Sequence, residues 1–210
     1  MRTAAQAHAK AMAHLRRRDP VLEKVIKKHP DIIHAWDAPA KPDHFRSLVV
    51  AIVNQQLSGK AADTILKRFV ALFPRKKFPS PEDVLAMPVA KMRKAGLSGM
   101  KVNFLKDLSK KVLAKEVDLK KIGAWSDDEV IEYLTRVKGI GRWTAEMFLM
   151  FSLRREDIFS YGDLGLRNAM QKLYKMKAPP TPAQAEKISA KWRPHRTLAS
   201  RYLWASLDVE

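Results

Sequence analysis

Val137-Lys138-Gly139-Ile140-Gly141-Arg142-Trp143-Thr144-Ala145 is the stretch on which the fold turns. Just upstream, Ser126-Asp127-Asp128-Glu129 fits a capping box, and Val130, Ile131, Leu134 and Val137 follow on one helical face. Just downstream, Ala145, Phe148, Leu149 and Phe151 carry a second helix that leaves at once. The two glycines let the backbone turn sharply and approach a ligand with no Cβ in the way. The amides that open the second helix point outward, with the positive end of its dipole behind them, which makes an anion site. Ile140 is the apolar plug that seats the turn, and Lys138 and Arg142 add charge. Taken alone, Gly-x-Gly suits a plain αα corner with a glycine cap equally well. It is not a dinucleotide fingerprint, which needs a preceding strand and a third glycine.

Outward from the hairpin the chain reads as helix after helix. Asp19-Pro20 is a cap followed by a proline at the first helical position, and Leu22, Val25 and Ile26 share a face that ends at His29-Pro30. Phe45, Leu48, Val49, Ile52 and Val53 mark the next helix. Its core could pass for a buried strand, but the pattern extends to Gln56, beyond strand length. Ala61, Ile65, Leu66, Phe69 and Leu72 give another face, and Ser80-Pro81-Glu82-Asp83 starts a short helix. A second short helix ends at Gly96, predicted to be left-handed. Further helices carry Val102 to Leu113, Leu164 to Tyr174, the segment after Thr181-Pro182-Ala183-Gln184, and Leu198 to Leu203. No alternating strand and no internal repeat appears. The pattern predicts an all-α protein of about ten helices in two lobes with a ligand cleft between them. The lobes are expected at roughly 45–125 and at 1–44 plus 126–210, the second carrying the hairpin (126–152).

The chain has 210 residues, 40 Lys+Arg against 22 Asp+Glu, and a net charge of +18. The charge calls for a polyanionic partner, with nucleic acid first and an anionic membrane surface second. Hydrophobic residues at 46 % are enough for a folded core. The absence of cysteine excludes disulfides, cysteine-held zinc or iron–sulfur clusters and a cysteine nucleophile. No stretch approaches a membrane span. The six histidines are scattered without metal spacing. Between Lys91 and Lys121 ten basic residues face three acids, a concentration that reads as a phosphate-tracking surface. Arg2, Lys10, Arg16, Arg17 and Arg18 partly match a mitochondrial presequence, but serine is absent and Ala11, Met12 and Leu15 read as a helix. A cytoplasmic protein, or a nuclear one in a eukaryote, is expected, monomeric by default.

The Val137–Ala145 stretch resembles the helix–hairpin–helix of the DNA base-excision glycosylases, the HhH-GPD superfamily. Ile158-Phe159-Ser160-Tyr161-Gly162-Asp163-Leu164-Gly165-Leu166-Arg167 resembles the segment and aspartate that complete that motif. Ile52-Val53-Asn54-Gln55-Gln56-Leu57-Ser58 resembles the Gln-Gln-containing segment, and Lys191-Trp192-Arg193-Pro194-His195-Arg196 the C-terminal signature of the alkylbase (3-methyladenine) glycosylase II branch. The four matches lie in the right order across residues 45–205.

The resemblance implies a two-lobed helical glycosylase with double-stranded DNA bearing alkylated bases as its partner, and the chain has no room for the N-terminal β domain of some members. An enzyme that cuts a glycosidic bond inside a duplex must flip the nucleotide out. Phosphates would be gripped by Lys138, Gly139, Gly141, Arg142 and Trp143, with a second anchor at the helix start around Ser98 and Lys101. No cofactor is required, but a monovalent cation, Na+ or K+, is implied at the carbonyls of Thr135, Val137 and Ile140. Gln56, with Leu57 as its neighbour, matches the wedge that fills the vacated stack. Asp163 matches the catalytic carboxylate, which would stabilise positive charge building on the sugar; alone it would read as a plain helix cap. Trp143, Met147, Trp192 and His195 match base-pocket positions, and each has a core reading too, Trp192 above all. His195 and Met147 replace aromatic residues of other members, which narrows the aromatic character of the pocket. Trp143 also stands where bifunctional relatives carry the lyase lysine, so no Schiff base can form there. The expected function is monofunctional excision of 3-methyladenine and 7-methylguanine. Uracil, mismatched or deaminated bases are the alternative substrates, and a non-catalytic duplex-binding module is the alternative class.

Overall fold

A computed structural model describes residues 4–30, 32, 43–57 and 59–207. Ser58, the end of the Gln-Gln segment, and Arg2 lie outside the described residues. The α-helices in chain order are α1 (Ala4–Arg18), α2 (Pro20–Lys28), α3 (His44–Asn54), α4 (Gly59–Ala71), α5 (Pro81–Ala86) and α6 (Val89–Lys94). They continue with α7 (Gly99–Leu113), α8 (Asp127–Leu134), α9 (Arg142–Phe151), α10 (Leu164–Leu173), α11 (Pro182–Ser189) and α12 (Arg196–Ala205). Among the described residues there is no strand, so the all-α reading holds, with slightly more helices than expected.

The chain divides into two compact units, 41–153 and 1–40 plus 154–210. The division differs from the sequence reading in one place: the hairpin segment belongs with residues 41–153, not with the C-terminal residues.

In unit 41–153, α3 touches α4, α7 and α9, and α7 also carries α5 and α6. Phe45, Leu48, Val49, Ile52 and Val53 are all buried, as helical spacing requires. Each such aliphatic side chain contributes about 2 kcal/mol by leaving water. α3 stops at Asn54, earlier than the hydrophobic pattern implied, because Gln55 already turns to an extended ψ of 131° and Gln56 follows with a left-handed backbone (φ 55°). The capping boxes at Ser80/Asp83 and Ser126/Glu129 both form. Gly96 adopts φ +104° after α6, the glycine-favoured ending anticipated for it.

In unit 1–40 plus 154–210, Leu15, Leu22, Ile26, Leu166, Met170, Leu198 and Leu203 are among the residues of one core. Its polar centre is Asp19, buried at the start of α2. One carboxylate oxygen accepts from the amides of Val21 (3.0 Å) and Leu22 (3.2 Å). The other accepts from Tyr174 Oη (2.6 Å) and Trp192 Nε1 (2.9 Å). Four donors satisfy the charge, which is what allows a carboxylate to sit in a core. Burial and the adjacent carboxylate push the Tyr174 hydroxyl far above its ordinary range. Asp19→Ala would strip a helix cap and leave two buried side-chain donors unpaired. A stability loss of about 3 kcal/mol in urea unfolding is the expected outcome.

Candidate functional site

The hairpin between α8 and α9 is built by its neighbours as much as by its own sequence. Gly139 has φ +83°, and a Cβ there would fall 2.1 Å from Cδ2 of Phe104 on α7. It is therefore a glycine for two separate reasons, conformation and contact. Gly141 differs: its φ of −88° suits any residue and a Cβ would meet nothing within 4 Å. The fold does not require glycine at 141, and the backbone there is open to the outside. Ile140 is buried, as the plug should be. The Lys138 amide donates to Asp107 Oδ2 (2.9 Å), and Lys111 Nζ donates to the same oxygen and to the Arg136 carbonyl (both 2.8 Å). Burial raises the Asp107 pKa, but Lys111 and the Lys138 amide outweigh it and hold the carboxyl below its usual range.

α9 opens at Gly141 with no side-chain cap, so the helix start presents backbone to the outside. Arg142 is exposed and bonds to the buried Glu146 (3.0 Å). Trp143 is 42 % exposed at the head of α9 and Met147, one turn on, is half-buried. On the turn after α3, Gln56 and Leu57, the expected wedge residues, are both exposed. The preceding Gln55, to which the sequence reading gave no role of its own, donates from Nε2 to the Gly139 carbonyl (2.8 Å) and to Thr144 Oγ1 (3.2 Å).

The second anchor differs from its expectation. Ser98 caps α7 by accepting from the Lys101 amide (3.2 Å), while Lys101 Nζ turns inward to the Val53 carbonyl (2.7 Å) and burial lowers its pKa. Lys106 Nζ donates to the carbonyls of Leu85 (2.7 Å) and Met87 (2.9 Å). Lys101, Lys106 and Lys111 thus close the carboxyl ends of α3, α5 and α8, where helix carbonyls lack partners and the dipole favours a cation. In this part the basic run also serves as a set of helix caps.

In the other unit Asp163 caps α10 and is 8 % exposed. Its Oδ1 accepts from the Leu166 amide (2.7 Å) and from Trp204 Nε1 on α12 (2.9 Å). A Cβ on Gly165 would come 3.1 Å from both Asp163 Oδ1 and Trp204 Cδ1, so glycine leaves room for this contact. α12 also grips the chain leading to Asp163: Arg196 clasps the Asp157 carboxylate (2.7 and 3.1 Å), and Thr197 Oγ1 accepts from the Ile158 amide (3.1 Å). The carboxylate is held by two N–H donors at a helix start on a segment pinned at both ends. That arrangement stabilises a negative charge in one orientation, beside which a developing positive charge is favoured. Trp204 was missed by sequence reasoning, which named only Leu198, Tyr202 and Leu203 on the last helix.

One pocket assignment, that of Trp192 as a stacking platform, does not fit the structure. Trp192 is fully buried, bonded to Asp19 and tilted against Phe159 (5.6 Å between centroids). It is a core post and presents no open face for a base to stack on. His195 lines a hollow of about 550 Å³ together with Lys10, His14, Arg17 and Glu156. Its ring meets His14 edge-on at 5.4 Å, and burial lowers its pKa.

Residues 49–195 match the family described as HhH-GPD superfamily base excision DNA repair protein. The chain is 38 % identical over 165 residues to DNA-3-methyladenine glycosylase 1 of Schizosaccharomyces pombe, covering 78 % of this chain and 72 % of that protein. It matches the structure of the Schizosaccharomyces pombe 3-methyladenine DNA glycosylase in complex with abasic DNA at a TM-score of 0.85 and 32 % identity, covering 95 % of this chain and 97 % of that one. A DNA-3-methyladenine glycosidase from Bacillus halodurans matches at a TM-score of 0.72 and 33 % identity, over 91 % and 90 % of the two chains. A braced hairpin with one glycine demanded by packing and another left open, an aspartate capping the helix beyond it, and a family match spanning both place this chain in the HhH-GPD superfamily of base excision DNA repair proteins.

Proposed function

We propose that the protein is a DNA glycosylase that flips alkylated purines, chiefly 3-methyladenine and 7-methylguanine, out of duplex DNA and releases them, leaving an abasic site with the strand intact. The observation that carries this reading is the Asp163 carboxylate, fixed through Oδ1 by Leu166 and Trp204. Methylation at N3 or N7 makes the purine cationic, so it leaves as a neutral base when the glycosidic bond breaks. The electron pair of that bond goes to the base, and positive charge appears on the sugar. Asp163 stabilises that charge, and water completes the exchange at C1′, losing a proton. Trp143, exposed at the head of α9, offers an aromatic face to a cationic base.

The backbone at Gly139 to Trp143 grips phosphate, and Gln56, assisted by Leu57, enters the gap left by the flipped nucleotide. A monovalent cation, Na+ or K+, suits the carbonyls of Thr135, Val137 and Ile140. Val137 O already accepts from the Ile140 amide (3.1 Å) and keeps a second lone pair for a weakly held ion. Bound there, such an ion would add positive charge to a phosphate-binding hairpin. Among the described residues no cluster of three His, Cys, Asp or Glu would hold a divalent metal.

Retention of the strand rests on Trp143 standing where a lyase lysine would be. The test is incubation with duplexes bearing one 3-methyladenine, 7-methylguanine, uracil, hypoxanthine or G·T mismatch, developed with and without alkali. Release of the methylated purines, with cleavage only after alkali, is expected. Cleavage without alkali overturns monofunctionality, release of uracil or hypoxanthine alone overturns the substrate class, and duplex binding with no release leaves a binding module.

A further inference from the structure

We propose that Gln55 is a positioning residue that couples the phosphate-gripping hairpin to the wedge turn, so that wedge insertion depends on the hairpin being set. The proposal rests on the glycosylase reading for the roles of hairpin and wedge, but its geometry stands apart from the chemistry.

Gln55 is the last residue before the wedge. It closes α3, and the next residue, Gln56, is exposed with φ 55°. A left-handed backbone at a residue other than glycine is sparsely populated and persists only where its surroundings fix it. On one side that constraint is α3, whose apolar face is buried throughout. On the other it is the Gln55 side chain, whose carboxamide nitrogen reaches residues 84 and 89 positions away, the Gly139 carbonyl and the Thr144 hydroxyl. A carbonyl oxygen can only accept, so the nitrogen must face Gly139. Both of its hydrogens are engaged, one on each limb of the hairpin: Gly139 in the turn and buried Thr144 in the first turn of α9.

The far side of the hairpin is held as firmly. Phe104 fills the space beside Gly139, and Asp107 takes the Lys138 amide. The hairpin is therefore clamped between α7 and one glutamine, and that glutamine is one peptide bond from the residue that enters the duplex. Any shift of the hairpin on meeting phosphate is passed to the Gln56 backbone through two hydrogen bonds and one peptide. Coupling of this kind is reciprocal, so insertion of the wedge also steadies the hairpin.

The test uses an abasic duplex with 2-aminopurine opposite the gap, whose fluorescence reports wedge insertion without base excision. Gln55→Met keeps length and volume but loses both donors. Its affinity for undamaged duplex should stay within about twofold of wild type while insertion and single-turnover base release fall about tenfold. Thr144→Val removes one acceptor and should lower insertion about threefold, with the double variant no worse than Gln55→Met. Wild-type insertion in Gln55→Met overturns the proposal. So does a parallel loss of undamaged-duplex affinity, which would make Gln55 a support of the hairpin and nothing more. A wild-type protein that inserts its wedge but releases no base overturns the glycosylase reading, while the fluorescence still decides the coupling.

Discussion

Asp163→Asn is expected to lower base release at least about a hundredfold while leaving the fold and duplex binding in place. The argument for selectivity is geometric. Asparagine is as good a helix cap as aspartate, and its carbonyl oxygen can accept from the same two donors, the Leu166 amide and Trp204 Nε1. What the substitution removes is the negative charge, and with it the stabilisation of a cationic sugar. The measurement pairs single-turnover release from a 7-methylguanine duplex with a thermal melt and an affinity for undamaged duplex. Full-rate release by Asp163→Asn would sink the catalytic assignment outright. Loss of the melt together with release would show that the aspartate acts as a cap alone.

The second large effect separates the two hairpin glycines. Gly139→Ala would place a methyl 2.1 Å from an atom of the Phe104 ring at φ +83°. A left-handed alanine and a displaced aromatic ring together should cost about 3 kcal/mol, or about 10 °C in Tm. Duplex binding would fall with it, because the turn that presents the amides no longer closes. Gly141→Ala meets no atom of its own protein within 4 Å. Its Tm should not move, but a methyl there stands between backbone and phosphate, and affinity for duplex should fall about tenfold. A Gly141→Ala protein that binds normally would show that no ligand approaches that backbone closely.

The features legible in the sequence were the local ones. Ser80, Ser126 and Thr181 start helices as their sequence implies; the boxes at Ser126 and Thr181 form, and Ser80 closes one with Asp83 as well. Gly96 and the hairpin are likewise written in a few consecutive residues. The long-range contacts were not legible. Trp204 reaches Asp163 across 41 positions, and Gln55 reaches the hairpin across more than 80. Trp192 was given an aromatic platform's role because its segment matched a signature. Its indole instead finds Asp19, 173 positions away. A clue was present: an aspartate cap uses one oxygen locally, and a buried one must take donors for the other from elsewhere in the chain. The lysine run was legible only in part for the same reason, since a run of charge shows how many ammonium groups there are but not which carbonyls lie within their reach.

Those lysines bear on how the protein should respond to salt. Binding to DNA is sensitive to ionic strength because each phosphate neutralised sets a condensed counterion free. Lys101, Lys106 and Lys111 rest on carbonyls of Val53, Leu85, Met87 and Arg136, so their ammonium groups are engaged by the protein before any duplex arrives. They keep their share of the formal charge of +18, but a direct contact with phosphate would compete with the carbonyls they already hold. The steepness of the salt dependence is expected to fall short of what the count of lysines and arginines alone would give, because these three also close helix ends.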